Sequence, residues 1–211
     1  MARIWTVLFL LTVWLIGTPA PAAAPKDYAD ADAGVLVYSV GAIEIPMNFT
    51  FQYRRVRDAA GRPVKERVQV IECACVGFFR ARMADPDYEG RETGKVVIRD
   101  LAPGDYEIDD FGFGGSVGAT GYSWSSGRKL AMSFRVTSGE AVYIGNYARA
   151  PSLGTPLEKT LGAAGFFVIS DKSQRDLARA RARRPDLPAV TVAVPDATAL
   201  NHPAIRAAEP R

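Results

Sequence analysis

Residues 94–108 read GKVVIRDLAPGDYEI, and the reading of this stretch decides the fold. Two β-type runs, 95–101 and 105–111, are divided by Ala102-Pro103-Gly104. Proline presets φ for a turn, and glycine accepts the positive φ that a turn demands. Leu101 and Tyr106 flank the turn and are predicted to pack into a core. Outward from here the same texture repeats. Residues 47–56 alternate, with Phe49, Phe51 and Tyr53 on one face and Asn48, Thr50, Gln52 and Arg54 on the other, as a half-buried strand requires. Residues 58–64 (DAAGRPV) read as a hairpin loop, 67–79 as a second long β run, and 85–94 as an acidic loop. Residues 130–136 and 141–147 are predicted to pair as a hairpin around Thr137-Ser138-Gly139-Glu140, and 165–169 form a last strand. Short strands with turn signals about every 8–12 residues predict a single mainly-β sandwich of roughly seven strands, not βαβ units.

The pattern Gly-x-h-x-h-x-x-Leu-x-Pro-Gly-x-Tyr-x-h (h apolar) at 94–108 resembles carboxypeptidase-regulatory-like and transthyretin-like sandwich domains. The segment FRVTSGEAVYIGNY at 134–147 looks like the companion strand pair of small exported bacterial proteins of that kind, many of them uncharacterised. A helix holding Arg175-Asp176-Leu177 and followed by Pro185 is similar to the one that often ends them. The resemblance covers about residues 95–185. It implies a prealbumin-like β-sandwich used as an accessory or binding module, with no catalytic residue to carry over. Fold alone does not imply function.

Composition bounds the rest. The chain has 211 residues, 48% hydrophobic and 23% charged, with a net charge of +3. These values exclude a disordered chain, a collagen repeat and a coiled coil. The only long apolar run is N-terminal, which excludes a polytopic membrane protein. Arg3, the apolar stretch 4–16, the breakers Gly17 and Pro19, and the small residues Ala20 and Ala22 at −3 and −1 predict a signal peptide over 1–22. The run is shorter than the roughly 20 apolar residues of a membrane span, so no integral span is expected after cleavage. Losing Arg3 leaves 25 − 23 = +2, too little to argue for nucleic acid. The excess of Arg over Lys and the abundance of Ala are a bacterial bias, so the expected location is the periplasm or the medium. Residues 23–33 are predicted to be a flexible lead-in and 34–185 the sandwich domain. Its helix is placed at 172–184, with Asp171 as N-cap, Gln174 completing a capping box, and Pro185 as stop. Residues 186–211 are predicted to be a largely disordered tail with one edge strand at 190–194.

Residues with chemical potential are few. Gly114-Gly115-Ser116-Val117-Gly118 matches a nucleophile elbow by letter, and His202 follows downstream. That motif needs a strand-to-helix turn, and no helix follows Gly118. Cys73 and Cys75 lie at i and i+2, where extended geometry holds their Cα atoms near the limit of disulfide reach. Two inert buried thiols are the favoured reading, a disulfide needs a bulge, and a metal needs more ligands from His202, Met47, Met83 or Met132. Residues 85–90 (DPDYEG) copy half an EF-hand loop but place Val96 where the bidentate Glu belongs. Glu107 and Asp109 share a strand face without a cleft to make them an acid–base pair. No phosphate loop or dinucleotide fingerprint occurs. The expected catalytic, metal and cofactor sets are therefore empty.

Two surfaces remain. Arg175, Arg179 and Arg183 recur at i, i+4 and i+8 on the helix, a spacing suited to an anionic partner or to a plain solvated face. Arg54, Arg55, Arg57, Arg62, Lys65 and Arg67 crowd one hairpin. The stretch 112–127 mixes glycine and serine with Phe113, Tyr122 and Trp124, as adaptable binding loops do. Aromatics that end strands and pack inward are the alternative. The expected function is a non-catalytic binding or accessory module of the cell envelope, whose partner is another envelope protein or a cell-wall glycan. The alternatives are a structural subunit of an envelope complex, or a serine hydrolase using Ser116.

Overall fold

The computed structural model describes residues 27–44, 48–73, 83, 85–117, 120–125, 130–151, 165–202 and 204–207. The signal-peptide segment, the 4–16 apolar run and Cys75 lie outside them. Among the described residues are eleven strands and one helix: β1 (Gly34–Ile43), β2 (Asn48–Asp58), β3 (Gln69–Cys73), β4 (Glu92–Leu101), β5 (Gly104–Val117), β6 (Thr120–Ser125), β7 (Met132–Val136), β8 (Ala141–Pro151), β9 (Gly165–Ser170), α1 (Ser173–Arg183), β10 (Val190–Val192) and β11 (Ile205–Ala207). They form two sheets. Sheet A runs β11-β9-β8-β1-β4 with β10 also on β8, and sheet B runs β3-β2-β5-β6 with β7 also on β5. Over the described residues the chain is a mainly-β sandwich with one short helix.

The alternating strand 47–56 does what its pattern demands. Phe49, Phe51 and Tyr53 are buried, while Asn48, Thr50, Gln52 and Arg54 are half-buried. Phe51 meets Phe111, Tyr147 and Phe167 at 5.5, 5.0 and 4.5 Å between ring centroids. Each such ring contributes roughly 1.5–3 kcal/mol through burial alone. The 102–104 turn also forms, with Gly104 at φ +154°. Tyr106 is buried, and its hydroxyl donates to the Ala102 carbonyl at 2.8 Å. This is the tyrosine corner of sandwich folds, a side chain pinning the turn that precedes it.

β1 is buried along nearly its whole length because sheet A is covered on both faces. Leu36, Tyr38, Val40 and Ala42 face sheet B, and Val35 and Val37 face Leu177 and Ala180 of α1. The helix, Ser173–Arg183, is one residue shorter at each end than its sequence predicts. Asp171 accepts the Ser173 N–H at 2.8 Å, and Lys172 borders the first turn without a side-chain cap.

Three expectations change. Residues 130–136 and 141–147 are not a hairpin, because β7 pairs with β5 in sheet B while β8 joins sheet A. The turn between them crosses from one sheet to the other, and β8 then runs parallel to β1. The segment after α1 is not simply loose: β10 and β11 add parallel to β8 and β9, and Ala197 and Ile205 are buried. In the lead-in, Tyr28 donates its backbone N–H to Asp100 at 2.8 Å. No helix among the described residues is long and apolar enough to cross a membrane.

Candidate functional site

The densest polar chemistry lies between α1 and sheet A. Alternation puts Ser39 on the helix side of β1, in line with Val35 and Val37. On β8 the register slips between Val37 and Ser39 of its neighbour, so that Tyr143 opposes Val37 and Asn146 opposes Ser39. The extra residue is accommodated at Gly145, φ +109°, a conformation that favours glycine. Without that bulge, alternation would turn Tyr147 toward the helix and Asn146 into the apolar core. With it, Ser39, Asn146 and Ser170 form a lateral row across β1, β8 and β9.

Asp176, in the first turn of α1, descends onto this row and is fully buried. It accepts from Ser39 Oγ at 2.5 Å, Tyr143 Oη at 2.6 Å and Arg175 Nε at 2.7 Å. Asn146 Oδ1 lies 2.6 Å from Ser39 Oγ and 3.2 Å from Tyr88 Oη, and its amide nitrogen donates to Glu92 Oε1 at 2.9 Å. Arg175 lies over the Tyr88 ring, 3.5 Å from its centroid, and 3.6 Å from Glu92. Gly41 and Gly94 face each other across β1 and β4. A side chain at Gly94 would overlap the Tyr88 hydroxyl, so the facing glycines form the slot for that ring.

The electrostatics suit a sealed joint. Burial, reinforced by the Asp176 acceptor, pushes the Tyr143 phenol well above its ordinary value. Burial and the Glu92 charge do the same to Tyr88. Burial alone would lower Arg175, but Asp176, Tyr88 and Glu92 outweigh it and raise it. A serine beside a carboxylate would read as nucleophile and base in an open cleft. Here Ser39, Asn146, Tyr143 and Asp176 are all fully buried, so no substrate reaches them. The cluster fastens the helix.

The predicted arginine stripe is spent in the same way. Arg175 belongs to the cluster. Arg183 donates to Asp87 Oδ2 at 2.7 Å and to the Val96 carbonyl at 2.6 Å, and Arg184 donates to Asp100 at 2.6 Å. Arg179 and Arg181 lie exposed. Asp87, a leading acid of the half EF-hand loop, also accepts the Val96 N–H at 2.7 Å. Three of the six basic residues of the hairpin are matched: Arg54 pairs with Asp109 at 3.0 Å, Arg62 with Asp58 at 2.7 Å, and Arg55 with Glu66.

The glycine-rich stretch is not a loop but a β-ribbon made of the second half of β5 and β6. Phe113 opposes Trp124, and Gly115 opposes Tyr122. The three predicted aromatic positions therefore share one face of the ribbon. It is the face of Phe111, since Phe113 also opposes the buried Phe49 on β2. The side chains of Phe113, Tyr122 and Trp124 lie outside the described residues. Ser116 sits within β5 opposite Gly121, not on the strand-to-helix turn that a nucleophile elbow requires. His202 lies with its ring 5.2 Å from Phe111 and accepts the Ala204 N–H at Nδ1.

Cys73 is buried and disulfide-bonded, which replaces the favoured reading of two inert thiols. Sequence reasoning misses Ser39 and Asn146, although Ser39 interrupts the apolar run of β1 and Asn146 that of β8, a visible mark of a buried polar joint. No family model matches the chain, and no curated protein or solved structure matches it significantly.

Proposed function

We propose that the chain is a non-catalytic binding or accessory module exported to the bacterial envelope, and that it meets its partner through the β5–β6 ribbon. One observation carries this reading. β2 accompanies β5 as far as the Asn48–Gly114 pair, yet β5 continues to Val117 with β6 as its only mate among the described residues. Along this ribbon the positions of Phe113, Tyr122 and Trp124 fall on one face, and the segment is rich in both aromatic and glycine residues. Aromatic residues give large contact area at small entropic cost, while glycine and serine let a strand fit closely to a partner.

The remaining polar machinery supports the same reading from the other side. The buried Ser39–Asp176 contact is sealed, and Arg175 and Arg183 are tied to internal carboxylates. The tyrosine corner after Pro103-Gly104 accords with the resemblance to carboxypeptidase-regulatory-like sandwiches, whose role is accessory. The ligand class proposed is a cell-wall glycan or an apolar segment of an envelope protein. The test combines Phe113→Ala with Tyr122→Ala and measures binding of soluble cell-wall glycan fragments and apolar peptides. Unchanged stability with lost binding supports the reading. Unfolding, or binding as before, removes the ribbon as the recognition surface.

A further inference from the structure

The sheet edges are not treated alike. On β4, Gly94 exchanges backbone hydrogen bonds with Asp87 and Tyr88, and the Asp100 carbonyl takes the Tyr28 N–H. Val96 gives its N–H to Asp87 and its carbonyl accepts from Arg183. At the far side of sheet A, β9 is covered by β11. In sheet B, β3 carries Glu72 and β7 carries Arg135. β6, with the sequence TGYSWS, has neither charge nor proline, and among the described residues it pairs with β5 alone. Covers, charges and prolines keep sheet edges from adding another chain. Among the described residues β6 has none of these devices.

The register tells which backbone groups face outward. Val117 and Thr120 close the ribbon across two residues, so hydrogen-bonded pairs fall at 117/120, 115/122 and 113/124. The N–H and C=O groups of Gly121, Ser123 and Ser125 then point away from β5. That set is symmetric about Ser123. We infer that β6 is a self-association edge, on which two copies of this chain pair antiparallel across a two-fold axis. Ser123 meets Ser123 of the partner subunit, and Gly121 meets Ser125 of the partner subunit. Charge selects this occupant, because an uncharged strand meets its own copy without opposing like charges, which Glu72 on β3 or Arg135 on β7 would bring. Three outward residues from each copy make about six backbone hydrogen bonds and carry sheet B across the axis. The inference stands whether or not the ribbon's aromatic face binds a ligand.

Sedimentation equilibrium of the purified chain tests it, with a reversible monomer–dimer equilibrium expected. Ser123→Pro removes one outward N–H and leaves the β5 ladder intact; it is expected to weaken the dimer at least about tenfold with an unchanged far-ultraviolet spectrum. If that variant does not fold, a charge swap still decides. Ser123→Lys and Ser123→Glu each weaken self-association, and their mixture restores it. A chain that stays monomeric at its highest soluble concentration overturns the inference. So does a dimer unmoved by Ser123→Pro, or a charge-swapped mixture that fails to associate.

Discussion

Asp176 is the point where the helix, both central strands of sheet A and three hydrogen-bond donors meet, and Asp176→Ala is the perturbation whose size follows most directly from the contacts. The substitution strands Ser39, Tyr143 and Arg175, which now donate to it at 2.5, 2.6 and 2.7 Å. Hydrogen bonds to a charged group are worth about 1.5–3 kcal/mol each, but their losses do not add. The Arg175 side chain is 30% exposed and can turn toward water, whereas Ser39 and Tyr143 have no such escape. Breaking a buried charged pair from one side costs roughly 3–5 kcal/mol, and we expect Asp176→Ala to fall there. The loss is local, because α1 rests on a small apolar cluster separate from the inter-sheet core. Native-state amide exchange is therefore the assay. Protection of Leu177 and Ala180 should drop by two to three orders of magnitude, as about 3–4 kcal/mol implies, while β2 and β5 amides change far less. Ser39→Ala removes one of the three donors to that carboxylate and should cost about 1.5–3 kcal/mol, less than Asp176→Ala. Helix protection that falls by less than about tenfold in Asp176→Ala refutes the account of the joint.

Three further outcomes are expected. Tyr106→Phe deletes the buried hydroxyl that holds the Ala102 carbonyl and should cost about 1–2 kcal/mol in urea denaturation; no loss would mean that the corner pins nothing. Cys73 is buried and disulfide-bonded, so reducing the bridge is expected to lower stability, by at most about 5 kcal/mol. A stability loss well beyond that on reduction, read from paired denaturation curves, contradicts this estimate. The Tyr38 phenol is pushed from 10.0 up to about 12, chiefly by burial and against the pull of Arg99. A raised folded value gives stability that is complete below pH 10 and lost as pH climbs toward 12, about 2–3 kcal/mol from this residue. Tyrosinate absorbance should therefore rise together with unfolding in that window, and ionisation near pH 10 with the fold intact would be the contrary result.

Much of this architecture is legible in the residues themselves. The alternation at 49–53, the Pro103-Gly104 turn and the Pro185 stop act through local sterics and side-chain period, so they survive without knowledge of partners. Pairing does not. Alternation assigns a face to a strand but not a neighbour, which is why β7 and β8 read as a hairpin although they join different sheets. The parallel docking of β10 and β11 was illegible for the same reason, since three-residue strands leave almost no pattern. The arginine spacing on α1 reads as a stripe, yet spacing cannot show that Asp87, in the loop before β4, and Asp100, on β4, wait many residues away. The bulge at Gly145 is subtler still. A single glycine within an apolar run signals a bulge or a close approach, but not that it turns Asn146 toward Ser39.

The central proposal is that the β5–β6 ribbon, and not the exposed helix arginines Arg179 and Arg181, meets the partner. A side-by-side pull-down from native envelope extract tests it most directly, using wild type, Phe113→Ala/Tyr122→Ala and Arg179→Ala/Arg181→Ala. The account predicts that the captured partner or glycan is lost with the ribbon variant and retained with the helix variant, both being folded by far-ultraviolet circular dichroism. Loss of the partner from the helix variant, with capture by the ribbon variant undiminished, contradicts it.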